Sequence, residues 1–152
     1  MEPESALRIL NSALYLRGET EGGFTTIDLL EINLFSGESA LYKLGAAPTY
    51  VRKREAVSRF TGAALPAGLS DGGVSRPDVI RLQLEAGDCV VLLSDGVTAG
   101  TDDGWLRDCL GGFDGASPKE LARRLIEESS GKSQAADDRT AMVVRLTPRQ
   151  AG

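Results

Sequence analysis

Histidine is absent from all 152 residues. That absence excludes Ser-His-Asp and Cys-His catalysis, a histidine general base and the usual zinc sites. Cysteine occurs twice, at Cys89 and Cys109, with no Cys-x-x-Cys pair. A thiol phosphatase needs an arginine six residues after its cysteine, and those positions hold Asp95 and Gly115. Cys89 lies inside an apolar run and reads as a core thiol of a reduced, cytoplasmic compartment. The longest aliphatic stretch, Val90–Leu93, is far below the roughly 20 residues that a membrane-spanning helix needs. The opening "MEPESALRIL" is acidic and has no basic region of a secretory signal. Seventeen basic against 22 acidic residues give a net charge of −5, which argues against nucleic acid and anionic membrane as partners through overall charge. "GKS" at 131–133 ends like a phosphate-binding loop, but the glycine required five positions earlier is Ile126.

What is present suits one soluble domain. Apolar residues make up 41% and charged residues 26%, at a length sufficient for a core. Residues 4–17 place Ala6, Ile9, Leu10, Ala13 and Leu14 at helical spacing, so that face is expected to be buried. "GETEGG" at 18–23 reads as a turn or loop. "TIDLLEINLF" alternates, with Leu30, Ile32 and Leu34 on one face. "SALYKL" follows a turn and closes a hairpin. Two short strands flank a basic turn at 52–54, and "LPAGLSDGG" at 65–73 has loop chemistry. "DVIRLQL" alternates, whereas "CVVLL" is apolar at every position and is expected to be covered on both faces. "DDGWLRDCL" reads as a short helix. "SPKELARRLIEESSG" is a second, with Ser117 as N-cap, Pro118 at the first helical position, Glu120 in a capping box and Gly131 as C-cap. "KSQAADD" is a loop and "RTAMVVRLT" a closing strand. The order implies an α+β fold, helices packed on a mostly antiparallel sheet.

Two acidic spots stand out. Asp95 follows the interior strand; Asp137 and Asp138 precede the last one. If those two strands are antiparallel neighbours, the carboxylates meet at one edge of the sheet and repel unless a cation lies between them. Oxygen donors without histidine or cysteine suit Mg²⁺ or Mn²⁺. Two such ions about 3.5–4 Å apart activate a water and clamp a phosphate. The plainer alternatives stand beside this: Asp-Gly makes a turn, Asp-Asp a solvated loop, Arg52-Lys53-Arg54 a solvated strand end, and Trp105 packs on a helix face.

"GDCVVLLSDGVTAG" followed by "ADDRTAMVVRL" resembles the end of the metal-dependent serine/threonine protein phosphatases. "ALRILNSALYLRGETEGGFTTIDLLEINLFSG", "YKLGAAPTYVRK" and "LPAGL" narrow the resemblance to the phosphatase domain of the bacterial sporulation protein SpoIIE, over residues 5–147. The resemblance implies a β-sandwich of mostly antiparallel strands flanked by helices. It implies a phosphoserine/phosphothreonine phosphatase with two Mn²⁺ or Mg²⁺ ions. Asp95 and Asp137 then match metal-binding aspartates, Asp138 the second member of the terminal pair, and Gly96 the glycine that turns beside the site. The implied substrate is a phosphorylated anti-anti-sigma factor, in sporulation or stress signalling.

The family also uses an Asp-Gly pair from an upstream strand, and none precedes Glu4. Residues 1–152 are therefore expected to be the C-terminal part of a single phosphatase domain, without its N-terminal strands, inactive alone and prone to form a homodimer. The competing reading is a noncatalytic, phosphatase-like regulatory module.

Overall fold

The architecture follows from two hydrophobic patterns, a uniformly apolar run that buries a strand on both faces and a helical stripe that tucks a helix onto a sheet. A computed structural model of the chain describes residues 2–21, 23–70, 76–98, 102–132 and 137–148. The chain is α+β, with two antiparallel sheets, and divides into two compact units. The expected loops at 71–73 and 133–136 lie outside the described residues.

The first unit comprises residues up to Ala46 together with Thr61–Gln83. It holds α1 (Pro3–Glu21) and a sheet of β1 (Ile27–Ile32), β2 (Glu38–Leu44) and β5 (Asp78–Gln83), in the order β1-β2-β5. The expected hairpin is present, with Leu30 opposite Leu41 and Ile32 opposite Ser39. It is shorter than its hydrophobic pattern implies. The Asn33 side-chain oxygen accepts the N–H groups of Phe35 and Ser36, which bends the chain out of the strand. Leu34, expected on the buried face, is 83% exposed in the resulting turn.

Helix α1 corrects two further expectations. It runs through 18–21, read from sequence as a turn. It also presents a different face to the sheet. Leu7 and Asn11 are buried and Leu14 half-buried, whereas Ala6, Ile9, Leu10 and Ala13 are exposed. The cause is Asn11. Its side-chain oxygen accepts the Gly68 N–H at 2.7 Å, and its amide nitrogen donates to the Ser70 carbonyl at 3.2 Å. A buried polar group must be satisfied, so this clip turns the 7-11-14 stripe inward. Leu7 packs there with Ala40, Tyr42, Leu44 and Ala67.

The second unit comprises Ala47–Phe60 and the residues from Leu84 onward. Its strands are β3 (Thr49–Lys53), β4 (Ala56–Phe60), β6 (Cys89–Leu93) and β7 (Ala141–Arg145), in the order β4-β3-β6-β7. β6 is interior, as expected, and buried at all five positions. Three helices follow β6: α2 (Asp95–Thr98), which the sequence did not suggest, α3 (Gly104–Gly111) and α4 (Pro118–Ser130). Cys89, Val91 and Leu93 on one face of β6 join Leu106, Cys109, Leu110, Leu121 and Leu125 in one core. α4 begins as read: the Ser117 hydroxyl accepts the Glu120 N–H at 3.2 Å. The Glu120 carboxylate turns instead to Arg123, at 2.9 Å.

Burial pushes the Cys89 thiol up to about 11. Burial and a hydrogen bond donated to Asp103 push the Tyr50 hydroxyl up to about 12. Both groups hold their protons more tightly in the folded chain than in the unfolded one. Their contribution to stability is complete below the unfolded values, about 8.5 for cysteine and 10 for tyrosine, and is lost as pH rises through the folded ones. Urea midpoints are therefore expected to fall steadily between pH 9 and 12. At pH 8 neither cysteine of the native chain should react with a thiol reagent, and both should react in urea. A native thiol that labels rapidly would contradict the buried assignment.

Candidate metal centre

Asp95 owes its position to β6. An all-apolar strand between two neighbours must end where polar chain can meet water, and Ser94-Asp95-Gly96 is that end. β6 pairs antiparallel with β7, Leu93 facing Ala141. The pairing continues past both strands through Ser94. Its N–H donates to the Thr140 carbonyl at 3.0 Å, and its hydroxyl oxygen accepts the Thr140 N–H at 2.8 Å. The same hydroxyl donates to the Asp138 carbonyl at 3.3 Å. Gly96 lies against that carbonyl so closely that a Cβ would collide with the oxygen. The two acidic segments therefore do meet at one end of this strand pair.

The carboxylates are exposed in all three cases. Asp95 Oδ1 accepts its neighbour's N–H, from Gly96, at 3.1 Å. Asp137 Oδ1 accepts the Asp138 N–H at 2.8 Å. Such local turns orient the carboxylates without neutralising them. The donor chemistry suits a hard divalent ion. The number of donors is short: among the described residues, no three His, Cys, Asp or Glu side chains are gathered closely enough to hold a metal. The described residues by themselves do not gather a three-ligand centre.

Beside it lies a feature the sequence reading missed. Asp103 receives the Tyr50 hydroxyl at 3.0 Å and the Arg107 Nε at 3.1 Å, with Arg59 at 3.8 Å. Arg107 above all holds the Asp103 carboxyl below its usual range. Tyr50, Arg59 and Asp103 border a cavity of about 260 Å³ whose lining also includes Thr98, Asp102 and Trp105. Thr98 closes the helix that Asp95 opens, so the cavity sits one short helix from the acidic segments. Trp105 both lines it and packs on the core. "DDGWLRD" carried a helix signal strong enough to mask the charge network that its second aspartate makes.

The model of the family "Stage II sporulation protein E (SpoIIE)" matches residues 1–147. The chain belongs to the SpoIIE family. It is 30% identical to stage II sporulation protein E of Bacillus subtilis (strain 168), over 99% of this chain and 19% of that protein. It is 28% identical to the protein of the same name from Priestia megaterium, over 96% of the chain and 26% of the relative. The chain thus spans about a fifth to a quarter of the length of these relatives.

Among solved structures, it is similar to the phosphatase domain of SpoIIE from Bacillus subtilis, presoaked with Mn. The TM-score is 0.71 at 28% identity, covering 99% of this chain and 68% of that one. A structure of the same protein's PP2C phosphatase domain with a fragment of its regulatory domain gives a TM-score of 0.81 at 27% identity, covering 97% and 46%. The catalytic domain of the serine/threonine phosphatase PstP, at 21% identity and a TM-score of 0.76, shares the fold.

The Gly96 contact yields a measurable consequence. Gly96→Ala must push the Asp138 carbonyl away and loosen the Ser94–Thr140 junction. A loss of about 1–3 kcal/mol is expected from the overpacking, read by urea unfolding. Amide exchange should rise at Thr140. An alanine variant as stable as the parent would show that the approach is not tight.

Proposed function

We propose that the complete protein to which this chain belongs is a Mn²⁺- or Mg²⁺-dependent protein phosphatase acting on phosphoserine or phosphothreonine. The proposed metal ligands in this chain are Asp95 and Asp137, with Asp138 as the second member of its pair. A divalent ion, when bound, supplies an activated water without a protein base, which suits a chain with no histidine. The observation that carries the reading is membership of the SpoIIE family together with likeness, over 99% of the chain, to a domain described as a phosphatase. The hydrogen-bonded meeting of Ser94–Gly96 with Asp138–Thr140 supports a shared site for the two acidic segments. The substrate class proposed is a small phosphorylated regulatory protein of the anti-anti-sigma type. Two buried, unbridged thiols suit a cytoplasmic location. Among the described residues, no helix is long and apolar enough to cross a membrane.

A second reading concerns the chain by itself. Its described residues gather no three metal-ligating side chains, which favours a chain that does not turn over alone. Apolar surface on α1, including Ile9 at 59% and Leu16 at 67% exposure, supports self-association. Sedimentation of the isolated chain is expected to show a concentration-dependent dimer; a monomer at high concentration would rule it out.

The test of function is hydrolysis of a phosphoserine protein by the complete protein with Mn²⁺. A chelator is expected to stop it and added Mn²⁺ to restore it. Asp95→Asn and Asp137→Asn should each lower kcat by about a hundredfold or more, ~3 kcal/mol of barrier, and leave the fold intact. The Cys89→Ala/Cys109→Ala double variant should keep its chemistry at some cost in stability. Normal turnover by Asp95→Asn, or a folded but dead cysteine variant, would overturn the assignment.

A further inference from the structure

Strand registers align three residues across each sheet in a row, and the two rows treat buried charge differently. In the first unit, Asp28, Lys43 and Asp78 face one another across β1, β2 and β5. Lys43 is fully buried and its ammonium meets Asp28 at 2.7 Å. In the second unit the row is Arg52, Cys89 and Arg145, across β3, β6 and β7. Two arginines flank a neutral thiol there, and no acid stands in the row.

Both arginines are half-buried. Both lie on the face that carries Tyr50, Val91 and Val143 toward α3 and α4. Their side chains converge on one loop. The Arg52 guanidinium carbon lies 5.9 Å from the centroid of the Phe113 ring. Arg145 lies against Gly115, where a Cβ would sit 3.3 Å from its Nε. Two strand spacings separate the Cα atoms by roughly 10 Å, a span that two long side chains easily close. The Nε atom of each is buried without a hydrogen-bond partner. Among the described residues, neither guanidinium makes a hydrogen bond or an ion pair.

The nearby acids are engaged elsewhere. Asp88 accepts the Glu85 N–H at 2.9 Å and lies 4.0 Å from Lys53. Asp114 accepts the Ala116 N–H at 2.8 Å. A half-buried cation with no counter-charge is costly, and the chain places two side by side in a protein of net charge −5.

We propose that Arg52 and Arg145, beneath the 113–115 loop, form a binding site for a phosphate group. Guanidinium forks match phosphate oxygens in pairs, and a dianion balances both charges at once. The outer nitrogens of the two forks are the donors. The phosphate group comes either as a free anion or on a phosphorylated side chain. The site is separate from the candidate metal centre: Asp95 lies six steps along the chain from Cys89, about 20 Å along an extended strand.

The test is thermal unfolding and calorimetric titration of the chain in a chelator, so that no metal-bound phosphate contributes. One arm uses inorganic phosphate and another O-phosphoserine, each against chloride at matched ionic strength. A saturable rise in Tm with either is expected. Preference for inorganic phosphate identifies a free-anion site, and preference for phosphoserine a site for a phosphorylated side chain.

Arg52→Gln and Arg145→Gln should each weaken binding about tenfold or more, ~1.4 kcal/mol. Without phosphate they should be as stable as the parent or more so, because each removes a charge with no partner. Arg145→Lys keeps the charge without the fork and should retain part of the affinity. No shift beyond chloride, an equal shift in both glutamine variants, or variants destabilised in phosphate-free buffer would each overturn the proposal.

Discussion

The pairing of β6 with β7 is the constraint on which the second unit depends. β6 has no solvent face, so its sequence can hold only apolar residues between its ends, and every polar function is pushed to a terminus. At one terminus stands Asp95. At the other stands Cys89, flanked by two arginines. β7 runs back along β6, so the residues before it arrive where β6 ends. The Ser94 hydroxyl then serves as acceptor for Thr140 and donor to Asp138. One side chain thereby carries the ladder beyond the strands and sets the acidic segments side by side. Gly96 completes the arrangement by leaving room for the Asp138 carbonyl.

Much of this was legible because strand pattern and chemistry agreed. The uniform apolarity of "CVVLL" predicted an interior strand, and once that strand is antiparallel to the last, Asp95 and Asp138 must approach. Ser117 was legible for a similar reason: cap, Pro118 and the Leu121–Leu125 stripe all pointed to one helix start. α1 was misread because hydrophobicity alone picks its most apolar face. Asn11 lies outside that apolar stripe, yet two hydrogen bonds to the 68–70 loop turn it inward. Leu34 failed likewise, since the Asn33 side chain outcompeted the alternating pattern. In both cases a side-chain amide bonded to backbone decided what periodicity could not.

The meeting of the two acidic segments was legible in the sequence, and the number of donors they gather was not. Spacing along a chain can say that two acidic segments share a sheet edge. It cannot count how many oxygen donors reach one point, and that count is below three among the described residues. The Asp103 network escaped for another reason: Tyr50, Arg59 and Arg107 come from separate elements, and only the fold brings them to one carboxylate.

The two rows of charge show how differently a sheet can carry ions. Lys43 lies wholly out of water, and burial draws its ammonium below the ordinary lysine range, with Asp28 opposing that shift. A cation so placed is retained only with a close carboxylate, because desolvation far exceeds what a distant charge returns. Arg52 and Arg145 are half-buried cations with no carboxylate in their row. Burial and the hydrogen-bonding demand of the fork therefore leave solvent or a bound anion as the only ways to satisfy them. Solvent does not reach the buried Nε atoms, and an anion spanning the outer nitrogens stabilises both side chains through their charge even so. That asymmetry between the two rows is why the unbalanced row points to a ligand, while the balanced one explains itself within the fold.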